Sequence, residues 1–82
     1  EIFPQRDGSY IIDGGASVRD VNKALKWVLP TDGPKTVSGL VLEHLESFPD
    51  ASAGVKIDGY GLEILELEGN VIRAIRGRVI SG

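Results

Sequence analysis

The first stretch with helical periodicity follows Ser17, where apolar residues recur at steps of three and four and so share one helix face. The hydroxyl of Ser17 can accept a hydrogen bond from the amide of Asp20, so the helix is predicted to begin here. It is predicted to end at Leu29, because a residue that precedes a proline disfavours helical geometry. The apolar face consists of Val18, Val21, Ala24, Leu25 and Val28.

A second amphipathic stretch begins after a short turn at residues 31–34. Thr36 is the predicted N-cap residue, and Pro49 is predicted to stop the helix. Because the link between the two helices is short and each has one apolar face, both are predicted to lie side by side on a sheet. The apolar face of the second helix consists of Val37, Leu40, Val41, Leu45 and Phe48.

Short runs of β-branched and aromatic residues between glycine-rich turns predict four strands. These strands span residues 9–12, 55–58, 62–67 and 71–76. Residues 1–6 show no periodicity and are predicted to be a linker, followed by one domain at residues 7–80. The predicted fold is α+β in the order βααβββ, a mostly antiparallel four-stranded sheet with two helices on one face.

The register of the last hairpin follows from its turn. If Gly69 and Asn70 form a two-residue loop, Glu68 lies opposite Val71 and every other pair is determined. This register places opposite charges across from each other twice and apolar residues three times, which stabilises a hairpin. The remaining predicted pairs are Leu67–Ile72, Glu66–Arg73, Leu65–Ala74, Ile64–Ile75 and Glu63–Arg76.

The same register places apolar residues on both faces of the hairpin, although two helices can cover only one face. Either a β-bulge turns the two sets to one side, or the uncovered face keeps an apolar patch. A patch would be a contact surface for a neighbouring domain or for a second copy of the chain. Its candidate residues are Leu65, Leu67, Ile72 and Ala74. Cover by residues 2–3 or 79–80 is the other alternative to a patch.

Composition narrows the class of protein. A chain of 82 residues has room for one hydrophobic core. It contains no cysteine and one histidine, which excludes disulfides and argues against a zinc site. The formal net charge of −3 argues against nucleic acid as a partner. Its apolar runs are about three residues long, far below the roughly 20 that span a bilayer, so no membrane span is expected here.

Few residues indicate chemistry. His44 has no nucleophile or acid at a spacing that identifies a catalytic triad, so no enzyme is predicted. The turn with Gly14, Gly15 and Ser17 leads from a strand into a helix, a location where anions can bind. It has neither the dinucleotide fingerprint nor a P-loop lysine, so ordinary turn geometry is the alternative interpretation. No metal or cofactor is predicted.

Three further polar or aromatic residues are predicted to have structural roles. Trp27 and Tyr60 are predicted to pack in or beside the core rather than to form a stacking platform. Asn22 is unusual within a helix, because its side chain competes for backbone hydrogen bonds. It is therefore predicted to tie the first helix to a neighbouring loop.

The order of residues resembles the CorC/HlyC transporter-associated domain over about residues 6–77. The matching residues are Gly8-Ser9-Tyr10, Asp13-Gly14, Val18, Asn22, Leu29-Pro30, Thr36, Gly39-Leu40-Val41, Leu45, Phe48-Pro49, Gly54 and Ile64. Two departures stand out: Val55-Lys56 follows Gly54 where an acidic residue is common in the family, and residues 51–53 lengthen the preceding loop. Both weaken the expectation of a ligand site at that loop.

The resemblance implies a fold related to FAD-binding and transporter-associated domains. Such domains follow a transmembrane domain and a pair of cystathionine-β-synthase (CBS) domains, on the cytoplasmic face of the inner membrane. The parent proteins are linked to magnesium and cobalt efflux. Flavin binding is not expected, because this chain has one subdomain and no pyrophosphate loop.

Two functions follow as hypotheses. In the first, the domain is a non-catalytic regulatory module of a membrane ion transporter that acts through contacts with the CBS pair, the transmembrane domain or a second subunit. In the second, it senses a nucleotide or an anion near Gly14 and Ser17.

Overall fold

The computed structural model describes residues 1–45 and 53–80. Within these residues, five antiparallel strands form one sheet in the order β1-β2-β5-β4-β3, and two helices separate β2 from β3. The elements are β1 (Ile2–Pro4), β2 (Tyr10–Asp13), α1 (Val18–Leu25), α2 (Val37–His44), β3 (Gly54–Ile57), β4 (Tyr60–Glu68) and β5 (Val71–Val79). The predicted α+β class is confirmed, with five strands instead of four.

The additional strand lies in the segment predicted to be a linker. In β1, Ile2 pairs with Ile12 and Phe3 pairs with Ile11, so residues 2–4 are part of the sheet. Three residues are too few for a period to be recognised, and Pro4 cannot donate a ladder hydrogen bond. An edge strand tolerates proline, because its outer side has no partner strand.

The start of α1 agrees with the prediction, whereas its end does not. The Asp20 N–H donates to Ser17 Oγ at 3.2 Å, as expected for an N-cap. The helix ends at Leu25, because Lys26 adopts a left-handed conformation with φ 59°. The chain then turns, so that Val28, predicted on the buried face, is 74% exposed and Trp27 is buried instead.

Asn22 holds this early helix end in place. Its Oδ1 accepts from the Leu29 N–H at 2.9 Å, and its Nδ2 donates to the Leu29 carbonyl oxygen at 3.0 Å. Both backbone groups of a buried residue are thereby satisfied. The predicted tie between the first helix and a loop is confirmed, and the loop is the one that directly follows the helix.

The second helix begins as predicted, with the Gly39 N–H donating to Thr36 Oγ1 at 3.1 Å. It ends at His44, and Leu45 is extended. The predicted continuation of the helix through Leu45 is therefore wrong, and the predicted stop at Pro49 lies outside the described residues. Val37, Leu40 and Val41 are buried, in agreement with the predicted apolar face.

Both helices pack on the same face of the sheet. The buried residues of the strands and of the helices form one cluster. Residues that pair directly across strands share a face, and the buried strand residues are paired in this way (Ile12 with Ile75, Ile75 with Ile64). The opposite face, called the helix-free face below, is therefore not covered by α1 or α2.

A double irregularity in the β4–β5 hairpin changes the predicted register locally. Ile64 pairs with Ile75 and Leu67 with Ile72, as predicted, but Glu66 pairs with Ala74. The predicted pairs Glu66–Arg73 and Leu65–Ala74 are therefore wrong, because Leu65 and Arg73 are each an extra residue in their strand. Since the two bulges compensate, the register is restored beyond them, and the strand faces switch between Ile64 and Leu67.

The turn before β4 also differs from the prediction, which separated two strands at residues 59–61. Ile57 pairs with Tyr60, so Asp58 and Gly59 form a two-residue turn. Both have positive φ, 48° and 88°, as type I′ hairpin turns require. Tyr60 and Gly61 consequently belong to β4, and Tyr60 is buried.

Candidate functional site

One row of residues crosses the helix-free face from edge to edge. Phe3 pairs with Ile11, Ile11 with Arg76, Arg76 with Glu63, and Glu63 with Gly54. Because each pair is directly opposite, all five side-chain positions share a face. We call these residues the crossing row. They lie on the face opposite to the core residues Ile12, Ile64 and Ile75, which occupy adjacent positions on the same strands.

The crossing row changes from apolar to charged along its length. At the β1 end, Phe3 is 57% exposed and Ile11 is half-buried. At the centre, Arg76 Nη1 lies 3.9 Å from Glu63 Oε1, and both side chains are partly exposed. The cross-strand pairing predicted for Glu63 and Arg76 is thus confirmed, although the ion pair is long. Exposed aromatic residues and arginines are both enriched at protein contact surfaces.

A groove with a volume of about 450 Å³ opens at the other end of this row. Its lining includes Gly54, Lys56, Gly61, Glu63, Arg76 and Arg78. Ile80 also contacts the groove, and its side chain lies over Gly61, where a Cβ would be 2.9 Å from Ile80 Cδ1. The missing side chain at position 61 therefore makes room for Ile80.

The contact surface predicted from the hairpin is divided between two environments. Ile72 is 3% exposed and belongs to the core, and Leu67 packs against the core. Leu65 and Ala74 are half-buried and lie outside the core cluster. The four residues do not form one exposed patch, because the bulges turn Leu67 and Ile72 to the helix-covered face. The bulge alternative is the one that the structure contains.

Sequence reasoning missed the surface that replaces this patch. Phe3 was assigned to a linker, so its position beside Ile11 was not recognised. Arg76 was recognised as a cross-strand partner of Glu63, but the groove beside it was not. The available signal was the pair of glycines at positions 54 and 61, which lack side chains on the helix-free face.

Intramolecular hydrogen bonds occupy the turn predicted to be a weak anion site. The Gly14 N–H donates to the Arg73 carbonyl oxygen at 2.9 Å, and the Gly15 N–H donates to Asp13 Oδ1 at 2.8 Å. Ser17 Oγ accepts from the Asp20 N–H as the N-cap. A Cβ at Gly14 would overlap the Ile72 carbonyl oxygen, so glycine is needed here for close packing against β5.

The two helix N-termini are likewise joined to each other. The Val18 N–H donates to the Lys35 carbonyl oxygen and the Val37 N–H to the Ala16 carbonyl oxygen, both at 2.9 Å. The Ser38 N–H donates to the Gly14 carbonyl oxygen at 3.0 Å. Most first-turn amides that could bind an anion are therefore already paired. This geometry favours ordinary turn structure over the small-ligand hypothesis.

The aromatic residues pack as predicted. The Trp27 ring stacks on Tyr60 at a centroid distance of 4.6 Å and meets Tyr10 edge-on at 5.9 Å. The Tyr60 hydroxyl accepts from the Val28 N–H at 3.0 Å. Trp27 is 7% exposed, so it is part of the core and not a stacking platform.

Histidine and carboxylate side chains are the candidate groups for catalysis or metal binding in this chain. His44 is exposed, and its Nδ1 lies 3.0 Å from the Leu40 carbonyl oxygen of its own helix. Across residues 1–45 and 53–80, no three His, Asp or Glu side chains are grouped closely enough to hold a metal ion.

The hydrogen-bond partners of Asp7 change the pKa of its carboxyl group. The hydroxyl of the buried Ser9 donates to Asp7 Oδ1 at 2.6 Å, and the Ser9 N–H donates to the same oxygen at 2.9 Å. These hydrogen bonds lower the pKa of Asp7 below its ordinary value, and the positive charge of Arg76 lowers it further. Asp7 is thus electrostatically linked to the centre of the crossing row.

Comparison with known proteins identifies the class to which this fold belongs. The CorC_HlyC family model, described as "Transporter associated domain", matches residues 3–80. The chain belongs to this family of transporter-associated domains. The match includes Phe3, in agreement with the strand found at residues 2–4.

Two relatives are more than 40% identical to this chain over the residues that align with it. The inner membrane protein YfjD of Escherichia coli (strain K12) is 47% identical over 76 residues, which is 93% of this chain and 18% of that protein. A functionally unknown conserved protein from Haemophilus influenzae Rd KW20 is 42% identical, with a TM-score of 0.89 and coverage of 98% of this chain and 99% of that chain. The chain thus spans under a third of the length of the curated relatives it matches.

Two more distant structures share the fold. The putative Mg²⁺ and Co²⁺ transporter (CorC) associated region from Neisseria meningitidis MC58 has a TM-score of 0.84 at 16% identity, covering 96% of this chain and 98% of that one. The transporter associated domain from a CBS domain protein of Porphyromonas gingivalis has a TM-score of 0.85 at 24% identity, covering 98% of both chains. Among the described residues, α1 and α2 are both too short and insufficiently apolar to cross a membrane.

Proposed function

We propose that this domain is a non-catalytic regulatory module of a membrane ion transporter of the magnesium and cobalt type. The neighbouring structure described as a CorC-associated region supports the ion class, and the relative described as an inner membrane protein supports the location. We place the domain on the cytoplasmic face of that membrane. Its partners are the CBS pair, as the neighbour from a CBS domain protein suggests, and the transmembrane domain of the same polypeptide.

The observation that carries this proposal is the crossing row on the helix-free face. A sheet face with an exposed phenylalanine, a half-buried isoleucine and a loosely paired arginine is suited to contact with another protein surface. If the face meets its partner better in one transport state than in the other, the contact shifts the population between the two states. Regulation then requires no chemical step within the domain.

The test measures ion efflux by the full-length parent transporter in proteoliposomes. Deletion of the domain is expected to change the rate or its regulation, because the state-dependent contact is lost. Phe3→Asp is expected to reproduce the deletion, because a carboxylate at the apolar end of the crossing row cannot be buried in the contact without a partner. Val28→Asp is the matched control, since Val28 is also an exposed apolar residue but lies after α1, away from the crossing row.

Unchanged transport and unchanged regulation after deletion of the domain would contradict the proposal. An equal effect of Phe3→Asp and Val28→Asp would instead contradict the assignment of the contact to the helix-free face. Homodimer formation stays a prediction from the sequence.

A further inference from the structure

The groove beside the crossing row concentrates positive charge in an acidic domain. Lys56, Arg76 and Arg78 contribute three positive charges to its lining and Glu63 contributes one negative charge, which leaves a local charge of +2. The whole chain has a formal net charge of −3. A local charge opposite in sign to that of the molecule favours an acidic partner at this position.

Arg76 is held in the groove without a close acceptor. Its Nε is buried, and within the described residues it has no hydrogen-bond partner. The Glu63 carboxylate lies 3.9 Å from Nη1, which is beyond hydrogen-bonding distance. The Arg76 side chain as a whole is 39% exposed, so a carboxylate of a partner can contact the exposed part of its guanidinium group. The planar guanidinium can bind such a carboxylate through two parallel hydrogen bonds.

Arg78 adds a second guanidinium at a defined spacing. It lies two positions after Arg76 on β5, so both residues occupy the same face about 7 Å apart. The ion pairs within the described part of the chain are Arg73–Glu68 and Arg76–Glu63, and neither involves Arg78. In an extended peptide, alternate side chains have the same spacing of about 7 Å. Gly54, which also lines the groove, has no side chain to obstruct such a peptide.

We infer that this groove binds an extended acidic peptide segment of the parent transporter, with carboxylates at alternate positions paired to Arg76 and Arg78. The inference rests on the proposed function, because it names the chemistry of the partner that the helix-free face contacts. It specifies an acidic-x-acidic sequence in that partner.

The test uses fluorescence anisotropy with this chain and a short labelled peptide that carries glutamate at every second position. The matched probe is the same peptide with glutamine in place of glutamate. The alignment with the Haemophilus influenzae structure covers 98% of this chain and 99% of that one, so the two chains have nearly the same extent. A domain of this extent is therefore expected to fold by itself. The glutamate peptide is expected to bind, the glutamine peptide is not, and added salt is expected to weaken binding.

Variants of the arginines assign the site. Arg76→Gln and Arg78→Gln are each expected to weaken binding at least about tenfold, which corresponds to roughly 1.4 kcal/mol. Arg76→Lys is expected to give an intermediate loss, because it keeps the charge but not the planar fork. Arg73→Gln is the control, since Arg73 is on the same strand but its Nε donates to Glu68 at 2.8 Å. Its effect is expected to stay within about twofold.

Several results would overturn the inference. Equal binding of the two peptides, or an equal loss with Arg73→Gln, would indicate non-specific attraction or no carboxylate site. Binding of inorganic phosphate without binding of the glutamate peptide would assign the groove to a free anion instead. Trp27 fluorescence checks that each variant folds, and Arg78→Gln keeps the test decisive if Arg76→Gln is unstable. The effect of Phe3→Asp on transport is independent of all these outcomes, so the proposed function can fail or survive separately.

Discussion

Individual residues in this domain take their roles from contacts with backbone groups beyond their own turn or helix. Gly14 approaches β5 so closely that its N–H reaches the Arg73 carbonyl oxygen. Asn22 satisfies both backbone groups of Leu29 after the helix has ended. A contact with the main chain thus explains both Gly14, in the turn considered as an anion site, and Asn22, which is unusual within a helix.

The close approach at Gly14 leads to the first prediction. Gly14→Ala is expected to lower the free energy of unfolding by about 3 kcal/mol or more, because the new methyl group would overlap the Ile72 carbonyl oxygen and lie 2.9 Å from its carbon. Gly15→Ala is the matched control, since its Cβ would lie 3.5 Å from Asp13 Oδ1, an ordinary contact. Urea denaturation followed by Trp27 fluorescence measures both. Equal stability of the two variants would contradict the packing role of Gly14.

The second residue-scale prediction concerns Asp7 and Ser9. The native pKa of Asp7 lies below its ordinary value, mainly because the Ser9 hydroxyl donates to its carboxylate. The ionised Asp7 carboxylate therefore stabilises the folded domain above about pH 4. This stabilisation is lost as the pH falls through the lower pKa that Asp7 has in the folded state. Ser9→Ala is expected to raise the pKa of Asp7 toward its ordinary value, as measured by an NMR pH titration of its carboxyl carbon.

The control for this titration is Ser38→Ala. The Ser38 hydroxyl shares a hydrogen bond with the Thr36 hydroxyl at the start of α2 and has no contact with Asp7 among its hydrogen bonds. This variant is therefore expected to leave the pKa of Asp7 unchanged. A pKa of Asp7 that did not respond to Ser9→Ala would show that the hydroxyl is not the main cause of the shift.

At the scale of elements, the helix starts follow from local capping, whereas the end of α1 and the faces of the strands depend on further contacts. Both N-caps, Ser17 and Thr36, are local hydrogen bonds and were predicted correctly. The end of α1 is set by the left-handed Lys26 and by the contact of Asn22 with Leu29. The faces of β4 and β5 are set by paired bulges at Leu65 and Arg73, which keep apolar residues against the helices.

The left-handed helix end leads to a third prediction. Lys26→Gly is expected to raise the free energy of unfolding by about 0.5–1 kcal/mol, because glycine adopts positive φ without steric cost. Lys23→Gly, in the exposed interior of the same helix, is expected to lower it by about 1 kcal/mol. Urea denaturation compares the two variants. A loss of stability in both would contradict the conformation assigned to Lys26.

At the scale of the whole molecule, the arrangement of one covered and one uncovered sheet face connects the fold to the proposed function. The helices and the inward strand residues form the core, so stability is concentrated on one side of the sheet. The other side is available for Phe3, Ile11 and the charged groove. Contact through this face can therefore change without disrupting the core, as a regulatory module requires.

Local patterns in the sequence were sufficient to predict the class of the fold, both helix starts, the strands from residue 9 onward and the Gly69–Asn70 hairpin loop. These features depend on interactions within a few residues: side-chain caps, helical periodicity and turn preferences. The helix end at Lys26, the edge strand at residues 2–4 and the composition of the helix-free face depended on the tertiary structure. The helix end depends on side-chain contacts with the loop that follows it, and the edge strand depends on its pairing with β2. The composition of the helix-free face depends on the pairing of strands that are distant in sequence, and this packing outweighs the local preference of the chain.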